Sequence, residues 1–280
     1  LRKKLNAYLI VFIPFLLIIL QNDTGTALVF LAFSLVFYRE GISSNILILG
    51  LILLTLLILT FLFDKMILII VFSVLATIIF FFSRRKAKEI KFIIICWSLI
   101  IGAIFSINYV AEEVLLDHHI QRINILLGQE IDPQGAGYNL IQSKIAIGSG
   151  GFFGKGFLNG TQTRFDFVPE QSTDFIFCTI GEQWGFLGSL IFILCFVALI
   201  LRIFFIAERQ RSNFSRMYGY SVGCILFIHF VINIGMTIGL SPVIGIPLPF
   251  ISYGGSALLG FTILLFILLN LDSYRLQILR

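Results

Sequence analysis

Charge is what this sequence has least of. Asp, Glu, Lys and Arg make up only 12% of its 280 residues, where a soluble domain carries about a quarter. Hydrophobic residues account for 58%, and the mean hydropathy is +1.01. An ordinary water-soluble domain is thereby excluded. Cysteine is scarce too, and Cys96, Cys178, Cys195 and Cys224 all lie in apolar runs. They read as small buried hydrophobes, and neither a disulfide framework nor a thiolate metal site follows from them. A phosphate loop is also lacking. The run GSGGFFGKG has the outline of one, but Gly156 follows Lys155 where Ser or Thr is required, and Ser149 holds the first glycine position. The net charge of +5 does not point to nucleic acid, because its distribution follows membrane topology.

What is present is a series of apolar runs, several near or above the ~18 residues of a bilayer-crossing helix. The sequence predicts an all-α fold, a polytopic transmembrane helix bundle forming a single membrane domain over residues 1–280. Eight spans are expected, at about 5–21, 24–38, 45–63, 66–82, 91–110, 172–201, 216–239 and 250–271. With the N-terminus cytoplasmic, the outer side holds only Lys65, Arg122, Lys144, Lys155 and Arg164, leaving 15 of the 20 basic residues inside. The positive-inside rule then places both ends of the chain in the cytoplasm and the loop 111–171 outside. The second span is short. Reading it as re-entrant would put SRRKAKEIK and RIFFIAERQRSNFSR outside, against the rule. The chain starts at Leu1 with Arg2, Lys3 and Lys4 before an apolar run, and no small-residue cleavage site follows. It is expected to start inside a longer protein.

The large extracytoplasmic loop is rich in glycine, with nine between 111 and 171. Apolar residues such as Ile141, Ile145, Phe152 and Phe153 predict short elements lying on the bilayer surface. The loop runs into FDFVPEQSTDFIF, with Asp166, Glu170 and Asp174 at steps of four, and then comes a long apolar run. Pro169 fits a helix start. An acid in a first helical turn is favoured by the helix dipole and by free N–H groups, so Asp174 reads either as a cap or as a reacting carboxylate. Glu182 lies deeper, where an ionisable group is costly, and reads as a functional group or as a buried hydrogen bond between helices. His229 and Asn233 share a helical face and read mainly as interhelical hydrogen-bonders. His118 and His119 have no regular ligand spacing, and no metal site is read. Lys144, Lys155, Arg122 and Arg164 are either scattered surface charge or a cradle for a diphosphate. The last outer loop, SPVIGIPLPFISYGGSA, would place the hydroxyls of Ser252, Tyr253 and Ser256 at the membrane face.

The segments GAGYNLIQSKIAIGSGGFFGKGFLNGTQ, FVPEQSTDFIF, GEQWGFLG and GIPLPFISYGGSA, in this order, resemble the SEDS family (shape, elongation, division and sporulation). A weaker match lies at QNDTGTALVF, where relatives typically carry Pro in place of Asn22 and Leu in place of Thr24. Residues 41–110 depart from the family, with three expected spans where its usual plan has about one. The family also has further helices before the region that begins here. The resemblance implies a peptidoglycan glycosyltransferase that polymerises lipid II at the outer face of the bacterial cytoplasmic membrane. The implied partners are lipid II, undecaprenyl-diphosphate-linked glycan, membrane lipid and a class B penicillin-binding protein that supplies cross-linking.

On this reading Asp174, in the family's TDFIF motif, is the catalytic residue. Lys144, Lys155, Glu170, Thr173, Ser252 and Ser256 are expected to bind substrate. Glu182, Arg122, His229 and Asn233 are expected as structural or cavity-lining polar groups. The chemistry is consistent: a sugar hydroxyl attacking an anomeric carbon needs one positioned base. A diphosphate leaves as an anion and needs cations, either loop Lys and Arg or a divalent ion such as Mg or Mn, rather than the second carboxylate of a glycoside hydrolase. A lipid II flippase and a non-catalytic scaffold are the alternatives. The topology has a direct test. In a cysteine-free background, a single cysteine at Ser149 should react with a membrane-impermeant thiol reagent in spheroplasts, and one at Lys86 should not. The opposite pattern would overturn the eight-span layout.

Overall fold

The computed structural model describes residues 2–21, 23–41, 45–83, 87–109, 122, 124–126 and 137–275. His118, His119 and most of the expected outer loop before 137 lie outside these. Among the described residues the regular structure is helical: α1 (Arg2–Leu20), α2 (Thr24–Leu31), α3 (Phe33–Arg39), α4 (Asn45–Leu62), α5 (Lys65–Phe82), α6 (Ala87–Tyr109), α7 (Tyr138–Ser149), α8 (Thr161–Arg164), α9 (Ile176–Glu208), α10 (Asn213–Ile238) and α11 (Gly255–Ser273). Five of them are long and apolar enough to cross a membrane: α5, residues 88–107 of α6, α9, α10 and α11. The fold is an all-α, multi-pass membrane bundle.

The chain forms two compact units, Ser43–Ile131 and the combination of Leu1–Ile42 with Asp132–Arg280. In the first unit α5 packs on α6. The Trp97 indole donates to Ser73 Oγ at 3.1 Å, and Ser83 Oγ donates to Glu89 at 2.7 Å. Only 6% of the residues in either apolar window are buried in the protein.

The second unit is organised around α10, whose apolar window is 44% buried against 28% for α9 and 17% for α11. Its contact with α9 rests on small residues. A Cβ on Gly219 would lie 2.8 Å from Ala207 Cβ, and one on Gly223 2.7 Å from the Phe204 ring. Glycines four apart let two helices approach closely where lipid supplies no hydrophobic drive. Ile203, Ile206, Val222, Leu226, Phe261 and Leu268 fill the space among α9, α10 and α11. Phe196 stacks on Phe230 at 4.5 Å. Ala32 and Val36 pack α3 against Cys224.

One end of this unit is closed by ion pairs. Arg39 reaches Glu208 at 2.8 Å, Arg216 reaches Glu40 at 3.0 Å, and Asp272 is shared by Arg209 and Arg275. Long side chains at helix ends thus join α3, α9, α10 and α11 where their backbones separate. The exposed Arg39–Glu208 pair contributes little by itself.

The α9 helix is broken. Gly185 takes φ 66°, ψ −161°, a conformation open only to glycine. A continuous helix would bond Phe186 N–H to Glu182 C=O and Leu187 N–H to Gln183 C=O. The glycine-rich loop inserts between these groups. Lys155 N–H and Gly156 N–H donate to the carbonyls of Glu182 (3.1 Å) and Gln183 (3.0 Å), while Phe186 N–H and Leu187 N–H donate to the carbonyls of Gly151 (2.9 Å) and Phe152 (3.1 Å). Each polar group freed by the break is paired again inside the protein, as a membrane requires. Beyond the break, residues 186–208 are still long enough at 1.5 Å per residue to cross ~30 Å of hydrocarbon.

Loop and helix are tied a second time by Glu182, whose side chain is fully buried. It accepts from the backbone N–H groups of Thr161 (2.7 Å), Gln162 (2.8 Å) and Thr163 (2.9 Å). It also accepts from Thr163 Oγ1 at 2.8 Å and pairs with Lys155 Nζ at 2.8 Å. The expected helix-to-helix bond of Glu182 is replaced by a helix-to-loop one, because the free amides at the start of α8 converge on this carboxylate.

The break gives a test by substitution. A Cβ at Gly185 would lie 2.3 Å from Gly154 N and 2.8 Å from Phe152 O, whereas one at Gly260 in α11 meets nothing within 4 Å. Gly185→Ala should therefore destabilise the purified protein by about 2 kcal/mol or more. Gly260→Ala should be neutral or stabilising by up to about 1 kcal/mol. Thermal denaturation in detergent measures both, and equal melting of the Gly185 variant and the parent would contradict the stitched break.

Candidate active site

The residues leading to Asp174 are not helical. Asp166 and Glu170 both have positive φ, 54° and 55°, uncommon for residues with a side chain. The chain turns tightly on one oxygen, the Glu170 carbonyl, which accepts from Thr173 N–H at 3.2 Å and Phe175 N–H at 3.1 Å. Thr173 Oγ1 donates to Glu170 Oε2 at 2.8 Å, and Gln171 donates to Asp166. The three acids at steps of four thus lie on irregular backbone before the helix. The helix begins at Ile176 rather than near 172, and Asp174 stands just before it. Under the turn, Val168, Phe175, Ala146 and Cys178 form a small buried cluster that anchors it to α7 and α9.

Three successive carbonyls are held from elsewhere in the unit. Tyr253 N–H donates to Ser172 O at 2.8 Å. Ser252 Oγ donates to Thr173 O at 2.6 Å. Asn233 Nδ2 donates to Asp174 O at 2.7 Å and to Ile246 O at 2.7 Å. One turn before Asn233 on α10, His229 Nδ1 lies 3.2 Å from Pro247 O. One turn after it, the Thr237 carbonyl accepts from Ser143 Oγ of α7 at 2.9 Å. One face of α10 therefore carries the loop 239–254, the turn 170–175 and α7. The interhelical bonds expected of His229 and Asn233 go instead to irregular backbone, whose carbonyls lack helical partners.

The Asp174 side chain is half-buried. Its Oδ2 faces Gly245, where a Cβ would sit 3.3 Å away, and Gly245 has φ +79°. Behind Gly245 the loop packs on the start of α2: a Cβ on Gly25 would meet Ile244 at 3.1 Å and Ile246 at 3.3 Å. Asp23 caps α2 there through Thr26 N–H at 2.9 Å. Burial pushes the Asp174 carboxyl above its ordinary value, and the Glu170 charge pushes it the same way. Among the described residues no hydrogen bond to the Asp174 carboxylate is found, so both oxygens remain available as proton acceptors.

The other sequence candidates fall into distinct places. Thr173 and Glu170 adjoin Asp174. Ser252 is buried, with its single proton donated to Thr173 O and its oxygen accepting from Leu248 N–H at 2.7 Å; the hydroxyl expected to face substrate is turned into the protein. Lys155 is the partner of Glu182. Lys144 is exposed on α7 and lies over Gly239, where a Cβ would be 2.5 Å from its Nζ. Ser256 is exposed in the first turn of α11. Arg122 belongs to the other unit. Among the described residues no three His, Cys, Asp or Glu side chains converge as metal ligands. Sequence reasoning missed the Tyr253 amide, the Gly245 wall and the Gly185 break. The three glycines of GEQWGFLG were the one available signal of the break.

Residues 38–277 match the FtsW/RodA/SpoVE family of cell cycle proteins. The chain belongs to that family. It is the family that the motifs around Asp174 resemble. The chain is 50% identical over 143 residues to the peptidoglycan glycosyltransferase MrdB of Escherichia coli K12, covering 51% of this chain and 39% of that one. It is 43% identical over 157 residues to the peptidoglycan glycosyltransferase RodA of Treponema pallidum, 55% and 36% of the two chains. To the stage V sporulation protein E of Bacillus subtilis it is 37% identical over 174 residues, 62% and 47% of the two. The matches thus span less than half the length of these relatives. A chain from a solved peptidoglycan synthase complex shares the fold, with a TM-score of 0.60 and 24% identity over 94% of this chain and 59% of that one. As a family member with five long apolar helices, the protein is a multi-pass protein of the bacterial inner membrane.

Proposed function

We propose that this chain carries the reacting carboxylate of a peptidoglycan glycosyltransferase that polymerises lipid II during cell elongation. The observation that carries the reading is Asp174, a half-buried carboxylate with raised proton affinity and no bonded donor among the described residues, set beside the start of a membrane helix. Relatives up to 50% identical over the matched segment are named peptidoglycan glycosyltransferases, which supports the same assignment. Asp174, the loop 111–171 and the start of α9 face outward, and both ends of the chain are cytoplasmic, as the distribution of basic residues favours.

In this reaction Asp174 accepts the proton of the acceptor sugar hydroxyl as its oxygen bonds to the anomeric carbon of the donor. The bond from that carbon to the undecaprenyl diphosphate breaks on the opposite face, so configuration inverts, and the diphosphate leaves with the electron pair. No acid is needed for such a leaving group. Its charge is balanced by Lys144, the exposed lysine of this unit's outer loop, or by a divalent cation, Mg or Mn. Lys155 is already paired with Glu182. A class B penicillin-binding protein is the proposed partner that cross-links the product.

The test is Asp174→Asn, assayed for lipid II polymerisation with the penicillin-binding partner present. The rate should fall by about 10²–10⁴-fold, the usual contribution of a general base. Stability should not fall with it. A carboxyl whose folded pKa is raised stabilises the fold only while protonated, below its unfolded pKa, and that contribution is lost as pH rises through the folded value. Near neutrality the ionised form is the disfavoured one, so Asn at this position should melt at or above the parent temperature. Near-normal glycan synthesis by the variant would remove Asp174 as the base. Absence of glycan strands from the parent protein would favour a flippase or a scaffold.

A further inference from the structure

We infer that Asn233 and Ser252 are positioning residues for Asp174, acting through the peptide backbone and touching neither substrate nor the reacting oxygens. This rests on the reading of Asp174 as the base. Because Asp174 precedes its helix, the carbonyls of residues 172–174 have no helical ladder to hold them. Tyr253 N–H, Ser252 Oγ and Asn233 Nδ2 take them one after another, at 2.8, 2.6 and 2.7 Å. Fixing a carbonyl fixes the plane of its peptide group. With the planes on both sides of the Asp174 Cα set, only the side-chain torsions remain free, and Gly245 limits those from one side.

The Asn233 amide reveals what it is held for. Its NH₂ faces two carbonyl oxygens, so its orientation is dictated by chemistry: only the nitrogen end can donate. Its Oδ1 is fully buried and has no hydrogen-bond partner among the described residues. An unmet buried acceptor is costly and uncommon. The chain bears that cost in the one side chain that couples Asp174 O to Ile246 O, and so the reacting carboxylate to the loop carrying Gly245. Ser252 supplies the second coupling, since its hydroxyl both accepts from Leu248 N–H and donates to Thr173 O. The base is thus referenced to α10 and to the loop 239–254 as well as to its own turn, as a positioned catalytic group requires.

The experiment compares Ser252→Ala and Asn233→Ala in the purified protein, measuring kcat and KM for lipid II together with the melting midpoint. Ser252→Ala removes a single oxygen and keeps the fold testable if Asn233→Ala does not assemble. Positioning predicts a fall in kcat of about tenfold or more and a KM within about twofold of the parent, in a Ser252→Ala protein whose midpoint is lowered by the two lost hydrogen bonds but stays above the assay temperature. In an Asp174→Asn background, Ser252→Ala should lower the residual rate no further, because its effect passes through that carboxylate. A raised KM at unchanged kcat would make Ser252 a substrate contact and overturn the inference, as would an unchanged kcat. Full activity of Asp174→Asn alone would instead overturn the assignment of the base, so the two failures are distinguishable.

Discussion

A backbone amide or carbonyl buried in a membrane protein has to find its partner within the protein, and the second unit is built around one place where a helix cannot supply it. At Gly185 two carbonyls and two amides of α9 are released, and the loop 151–156 bonds all of them. The free amides at the start of α8 are then gathered by the Glu182 carboxylate, one turn from the break. From α8 the chain returns to α9 through residues 165–175. That stretch is the turn ending at Asp174, pinned below by Val168 and Phe175. The break in the helix thus sets the place of the carboxylate.

The opposite side of the same turn depends on α10. His229, Asn233 and Thr237, one turn apart, hold the loop 239–254, the turn ending at Asp174 and α7 through backbone carbonyls. The ion pairs at the far end of the unit and the Gly219–Gly223 contact fix α10 against α3, α9 and α11. A rigid span therefore carries the position of a group that belongs to irregular backbone. The electrostatic outcome is a carboxylate that burial and Glu170 make reluctant to ionise. A base is more effective when its pKa lies closer to the working pH.

The apolar runs, the helical class and the family were legible in the sequence, because hydropathy and short motifs are local properties. The helix start was not. Pro169 favours an early start, but positive φ at Glu170 and the bonds converging on its carbonyl, both fixed by tertiary packing, delay it to Ile176. Lys155 looked available for a diphosphate and Ser252 for a substrate. Their partners, Glu182 and the Thr173 carbonyl, stand 27 and 79 residues away, beyond any periodic pattern. His229 and Asn233 announced themselves as polar groups on one apolar helix, but not that backbone carbonyls rather than helices would satisfy them.

The central claim is that Asp174 removes a proton with a pKa raised by its surroundings, and the pH dependence of lipid II polymerisation tests it most directly. A base works only when ionised, so the rate should fall as pH drops through the Asp174 pKa. Because burial and Glu170 both raise that pKa, the one-proton acid limb should lie above the ordinary aspartate value of about 3.9. Glu170→Gln removes the neighbouring charge and should move the limb to lower pH. A rate with no acid limb above the ordinary aspartate range, or a limb that Glu170→Gln leaves in place, would contradict the account.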